Sequence, residues 1–135
     1  MSDELDLTPF ANAVERLAEG LAEYRADPAH TLLRDGLVQR FEFTYEISHK
    51  MLKRYLALTL ASPAEFDAMP IGNLIRTGNE HGLLLGNWSD WKRYREMRAK
   101  TSHTCDEGIA LQVVEGIPAF LAEARYLLEQ LQRAE

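Results

Sequence analysis

Apolar residues recur at steps of three and four along most of this chain, with polar residues filling the positions between. In the first such run, Phe10, Val14, Leu17, Leu21 and Tyr24 share one helical face. Thr8-Pro9 stands ahead of them as an N-cap and a proline at the first helical position, where the missing N–H costs nothing. The spacing therefore predicts a helix from Thr8 to about Asp27. A second run is longer. Leu37, Phe41, Tyr45, Ser48, Leu52 and Tyr55 keep one face, widened by Val38, Ile47, Met51 and Leu56, while Arg40, Glu42, Glu46, Lys50, Lys53 and Arg54 take the other. It predicts a helix to about Leu60 that starts either at Asp27-Pro28 or at Asp35, with Gly36 weakening the earlier start.

Ser62-Pro63-Ala64-Glu65 matches a capping box and predicts a single short turn. Met69-Pro70 resets the chain, and Ile71, Leu74 and Ile75 predict a helix that runs to Gly82 as its C-terminal glycine. Leu83 to Asn87 reads as a loop tucked onto the bundle. Asn87 or Ser89 then caps a helix carrying Trp88, Trp91, Tyr94 and Met97 and ending near Lys100. Thr104 and Glu107 form a second Thr-x-x-Glu box, which predicts a last helix from Cys105 to about Arg133. Its stripe is Ile109, Val113, Ile117, Phe120, Ala124, Leu127 and Leu131, with Pro118 expected to kink the helix without ending it. No segment alternates at period two for long enough to make a strand. The expected fold is an all-α, up-and-down four-helix bundle with one extra short helix, a single domain over residues 8–135 behind a disordered acidic tail at 1–7.

Composition changes this picture little. With 46% hydrophobic and 27% charged residues, the 135-residue chain has the make-up of a soluble globular domain. No apolar run approaches the ~20 residues of a membrane helix, and Met1-Ser2-Asp3-Glu4 is unlike the basic start of a signal peptide; a cytoplasmic protein with no membrane contact is expected. One cysteine excludes an internal disulfide, and four scattered histidines argue against a structural zinc, so neither metal nor cofactor is expected. A net charge of −6 argues against a surface wholly built for nucleic acid. Five cations against two carboxylates between Trp88 and Lys100 nevertheless allow a local basic face, though a merely solvated helix face fits as well.

The chain has no phosphate-gripping glycine loop, no Gly-x-Ser-x-Gly elbow and no His-Glu-x-x-His pair. His49, in mid-helix, reads as a surface or interface residue, and His30 and His81 fall near turns. Cys105 at a helix N-terminus is either a thiol of lowered pKa or simply a small first-turn residue. Arg98 and His103 stand apart. On one helix their five-residue separation is roughly 500° of rotation, but the expected break between them lets the side chains converge. Metal-free RNA cleavage needs a base for the 2′-hydroxyl proton and a cation for the transition-state phosphate, tasks that histidine and arginine suit; a purely structural pair is the alternative.

Gln39-Arg40-Phe41-Glu42-Phe43-Thr44-Tyr45-Glu46 with Lys50 and Lys53, then Trp91, then Arg98 and Thr101-Ser102-His103-Thr104-x-Asp106-Glu107, resembles the nucleotidyltransferase substrate-binding protein family, a branch of the HEPN superfamily. The resemblance runs from Leu37 to Leu131. It implies a HEPN-like bundle, a homodimer, and pairing with a separately encoded minimal nucleotidyltransferase in a toxin–antitoxin-like module. The chain would be a binding subunit that presents substrate, nucleotide or RNA, through Lys50, Lys53, Trp91, Arg95 and Asp106. The other activity implied is a metal-independent endoribonuclease using Arg98 and His103 across the dimer. Three positions depart from the family pattern: Cys105 stands where some toxin members carry a tyrosine modified by the partner, Ala99 where asparagine is preferred, and His49 where a large aromatic is expected.

Overall fold

The computed structural model describes residues 5–59 and 68–134, and among these there are five α-helices and no strand. They are α1 (Thr8–Ala26), α2 (Thr31–Thr59), α3 (Ile71–Glu80), α4 (Trp88–Lys100) and α5 (Glu107–Ala134), with a 3-10 turn at Thr101–His103 joining the last two. The Ser62-Pro63 capping box lies outside the described residues. Helices α1, α2, α4 and α5 make the four-helix bundle and α3 is the short extra helix, packed on α4 and α2. No described helix is long and apolar enough to cross a membrane.

The apolar stripes read from the sequence are what the helices bury. Leu17, Leu37, Phe41, Leu52, Ile117, Phe120 and Leu127 have almost no solvent exposure, each contributing roughly 1.5–3 kcal/mol of burial. Phe120 is the hub. Its ring centroid lies 5.0 Å from that of Phe41, 5.3 Å from Tyr94, 6.1 Å from Tyr45 and 6.2 Å from Trp91, mostly edge to face, the arrangement that aromatic quadrupoles favour. Trp91 is fully buried in this cluster. Expected among the binding residues, it packs its indole between α2 and α5 and locks α4 to both. Helix α5 continues through Pro118, its stripe still in phase on the far side.

Two seams bring helices unusually close. Arg40 Nη1 donates to the Arg16 carbonyl at 2.8 Å, and the buried Thr44 hydroxyl lies 2.7 Å from the Arg40 carbonyl and 3.3 Å from that of Ala13, which fastens α2 to α1. Between α4 and α5, a Cβ at Gly116 would stand 2.5 Å from Met97 Sδ, so the contact distance there depends on glycine.

Helix ends depart from the sequence reading by a few residues, each for a local reason. Thr8 is itself the first helical residue of α1. Its N–H is taken by Asp6 Oδ1 at 3.0 Å, and Leu7 fills the cap position. Leu7 is buried and Leu5 packs on the core, so order begins within the segment expected as a disordered tail. Helix α2 opens at neither Asp27 nor Asp35: His30 caps it, with Nδ1 accepting from Leu33 N–H at 3.3 Å and its carbonyl from Arg34 N–H. Gly82 does end α3. At φ +70° it donates to the Asn79 carbonyl while Leu83 N–H returns to Gly78, the reciprocal pair that closes a helix on a left-handed glycine. Asn87 caps α4 in a capping box with Asp90.

The start of α5 departs by two residues. Thr104 is not its cap. The 3-10 turn draws the Thr104 hydroxyl back to the Thr101 carbonyl at 3.2 Å, and Asp106 takes the capping place, its Oδ1 accepting from Ile109 N–H at 3.1 Å. Cys105 consequently precedes the helix as an exposed thiol and is not its first residue.

Candidate functional site

Arg98 lies in the last turn of α4, as its position before the expected break requires, but its guanidinium turns back onto α2. Nη2 reaches Glu46 Oε1 at 2.6 Å and Nε reaches the same oxygen at 3.2 Å; Nη1 meets Glu42 Oε2 at 3.0 Å and the Thr101 hydroxyl at 3.1 Å. Thr101 Oγ1 is itself 2.9 Å from Glu42 Oε2 and 2.6 Å from the Arg98 carbonyl, so its single proton goes to one of these acceptors. Glu42 and Glu46 are four apart on α2 and so present both carboxylates from one helical row. Three of the five guanidinium N–H groups make hydrogen bonds, Glu42 adds an ion pair to Nη1, and one Nη2 N–H is left over. The hydrogen bond to Glu46 above all, and the charge of both glutamates, hold the Arg98 proton more tightly than usual. With its side chain 31% exposed, Arg98 remains within reach of an incoming anion.

This guanidinium forms one wall of an open cleft of about 480 Å³. Tyr45, Glu46 and His49 line it from α2, Ile71 from α3, and Arg95 and Arg98 from α4. Burial pushes the Tyr45 phenol up to about 12 against the pull of Arg95 and Arg98, so this hydroxyl keeps its proton at neutral pH. Burial, reinforced by the Lys53 ammonium, holds the His49 imidazole below the usual histidine range. The cleft thus offers two guanidinium groups, one of them paired with the Glu46 carboxylate, an uncharged imidazole and a phenol, a set that can hold a phosphate and exchange a proton beside it.

His103 ends the 3-10 turn, exposed, and is not among the walls of that cleft. Among the described residues its imidazole has no hydrogen-bond partner. The break after α4 therefore frees both side chains without bringing them to one cleft within the chain. Of the other residues singled out in the sequence, Arg95 is in the cleft wall, Lys50 is exposed on α2 outside it, and Lys53 is half-buried near His49. The exposed Asp106 carboxylate caps α5 through Oδ1 and lies outside the walls of that cleft.

The sequence left Glu42, Glu46, Thr101 and His49 out of the site, and one residue that supports it from below. Glu123 on α5 is 1% exposed, with its oxygens accepting from Leu85 N–H at 2.8 Å and Gly86 N–H at 2.7 Å. Burial raises its pKa, tempered by those two hydrogen bonds, while the Asp90 carboxylate raises it further. The Trp91 indole N–H lies close enough to favour the charged form, without reaching hydrogen-bonding geometry. Glu123 fixes the loop that ends in the Asn87 cap, and so sets where α4 starts and where Arg98 arrives. Its signal in the sequence was a carboxylate set between Phe120 and Ala124 on a buried stripe.

Set against known proteins, residues 5–133 match the family model described as nucleotidyltransferase substrate binding protein like. The chain is 41% identical over 141 aligned positions to a Haemophilus influenzae protein named probable ribonuclease HepT, covering 98% of this chain and 96% of that one. It also superposes with a TM-score of 0.87, at 33% identity, on the solved structure of HI0074 from Haemophilus influenzae, described as the fold of a substrate binding domain of a nucleotidyltransferase; the match covers 94% of this chain and 99% of that one. The chain belongs to the nucleotidyltransferase substrate-binding protein family.

Proposed function

We propose that this chain is an RNA-cleaving subunit that works in a pair with a separate minimal nucleotidyltransferase. The observation that carries the reading is the fixed Arg98 guanidinium, held by two carboxylates and a threonine at the edge of an open cleft with one N–H to spare. Such a group is preorganised to receive charge that develops on a phosphate oxygen. His103, exposed on the adjoining turn, moves a proton. Because His103 stands outside its own chain's cleft, the complete site is expected in a homodimer whose two Arg98–His103 segments face each other. The 41% identity to a protein named probable ribonuclease supports this reading.

The second reading is a binding subunit that presents substrate to the nucleotidyltransferase without cutting it, favoured by the family description and by that of the HI0074 fold. Arg95 and the spare Arg98 N–H would then hold the substrate phosphate. Cleavage of a single-stranded RNA by the purified chain in excess chelator separates the two. A ribonuclease cuts as wild type and loses at least about 10²-fold on His103→Ala with its helicity intact. If wild type leaves the RNA whole, the cleaving reading fails and the binding subunit stands.

A further inference from the structure

His49 and Ala99 are the cleft residues that depart from the family pattern, and of the two only His49, where a large aromatic is expected, can carry a proton. It sits on the same row of α2 as Glu42 and Glu46, the residues that hold Arg98, and lines the same cleft as Arg98 and Arg95. We propose that His49 is a second proton-transfer residue of the RNA-cleaving site, the base that takes the 2′-hydroxyl proton, which leaves His103 to act as the acid. This rests on the ribonuclease reading above.

Three observations support the assignment. First, the imidazole lines the same cleft of about 480 Å³ as the cation that would receive the scissile phosphate. Second, the groups that face it set its state. Burial first, and then Lys53 on its own helix, disfavour a positive imidazole; Glu46 on α2 and Arg95 and Arg98 on α4 line the same cleft, and α3 contributes only the apolar Ile71. A half-buried imidazole in that company is uncharged at neutral pH, the form a base requires. Third, an aromatic in this place could stack or pack but could not accept a proton.

The step balances without a co-reactant. The 2′-oxygen gives its proton to the imidazole nitrogen and bonds to phosphorus. The bond from phosphorus to the 5′-oxygen breaks, and that oxygen takes a proton from His103. The products are a 2′,3′-cyclic phosphate and a 5′-hydroxyl, and the proton on His49 leaves to solvent through the open cleft.

The test is the pH–rate profile for cleavage of a short single-stranded RNA, in chelator, by the wild-type chain, His49→Gln, His49→Phe and His103→Ala. Wild type should give a bell whose acid limb lies below pH 6.5, the side to which the environment moves His49. His49→Gln and His49→Phe should each lose about 10²-fold in kcat, with little change in KM, and lose the acid limb. His103→Ala should lose the alkaline limb and keep the acid one. Histidine 49 variants that cut within about threefold of wild type, with the acid limb in place, overturn the proposal and leave the ribonuclease reading intact. A wild-type chain that does not cut overturns both. Should the variants misfold, the wild-type imidazole resonances decide: those of His49 must shift when a 2′-deoxy oligonucleotide is titrated in, and unmoved resonances overturn the proposal.

Discussion

Removing the Glu123 carboxylate is the perturbation that reaches furthest from core to cleft. In Glu123→Ala the N–H groups of Leu85 and Gly86 lose their only acceptors among the described residues, and each orphaned, part-buried donor costs about 1–3 kcal/mol. Against this stands the relief of a carboxylate whose pKa is raised, a group that burial penalises when charged. A net loss of about 3 kcal/mol follows from those two terms, with about 10 °C off the melting temperature for a chain of this size. The sign of the pH dependence is fixed too. Because the folded-state pKa lies above the unfolded value, the native protein binds more protons between the two. Wild type should therefore gain stability relative to Glu123→Gln as pH falls through the folded pKa toward 4.5, and the gain should level off below it. Urea titrations followed by far-ultraviolet circular dichroism, at pH 7 and pH 5, measure both effects. A loss under about 1 kcal/mol in Glu123→Ala, or a wild-type advantage that shrinks as the solution is acidified, would refute the reasoning.

Two further perturbations check neighbouring parts of the site. Asp106→Ala should cost about 1 kcal/mol by uncapping α5, whereas Thr104→Ala should cost clearly less, because only Asp106 serves a helical N–H; chemical denaturation of the two variants side by side decides it. Glu46→Gln should change stability by less than about 1 kcal/mol, since the ion pair is partly exposed. The same change should slow RNA cleavage roughly 10–10²-fold by letting Arg98 swing; unchanged cleavage would mean that the carboxylate does not position the guanidinium.

How much of this was legible in the sequence depended on the range of the interaction. Periodic burial and local signals read well: Phe41, Phe120 and Leu127 fell on their stripes, and Asn87 and Gly82 were found because capping needs only neighbours. Where two local signals competed, the sequence did not decide. Thr104 and Asp106 are both good caps two residues apart, and the choice was made by a 3-10 turn that occupies the threonine. His30 was passed over because an imidazole is an uncommon cap. Trp91 entered the binding set through the family resemblance, yet a tryptophan can bury its ring while its neighbours Asp90 and Lys92 stay in water. The clasp on Arg98 was invisible for another reason. Glu46 lies 52 residues away and becomes a neighbour only once α2 and α4 pack.

Helix α2 has one consequence that concerns substitution rather than contact. Phe41 and Tyr45 belong to the core, Arg40 and Thr44 are fastened to α1, and Glu42, Glu46 and His49 hold Arg98 or line its cleft. Gln39, Phe43 and Lys50 make up the remaining outer strip. An ordinary surface helix is free to vary over about half its circumference, whereas this one has three of its four sides under separate constraints. A single-residue insertion within it would rotate everything downstream by about 100° and break all three at once. Point changes are confined to the outer strip, so most of the drift among relatives in this helix should collect there.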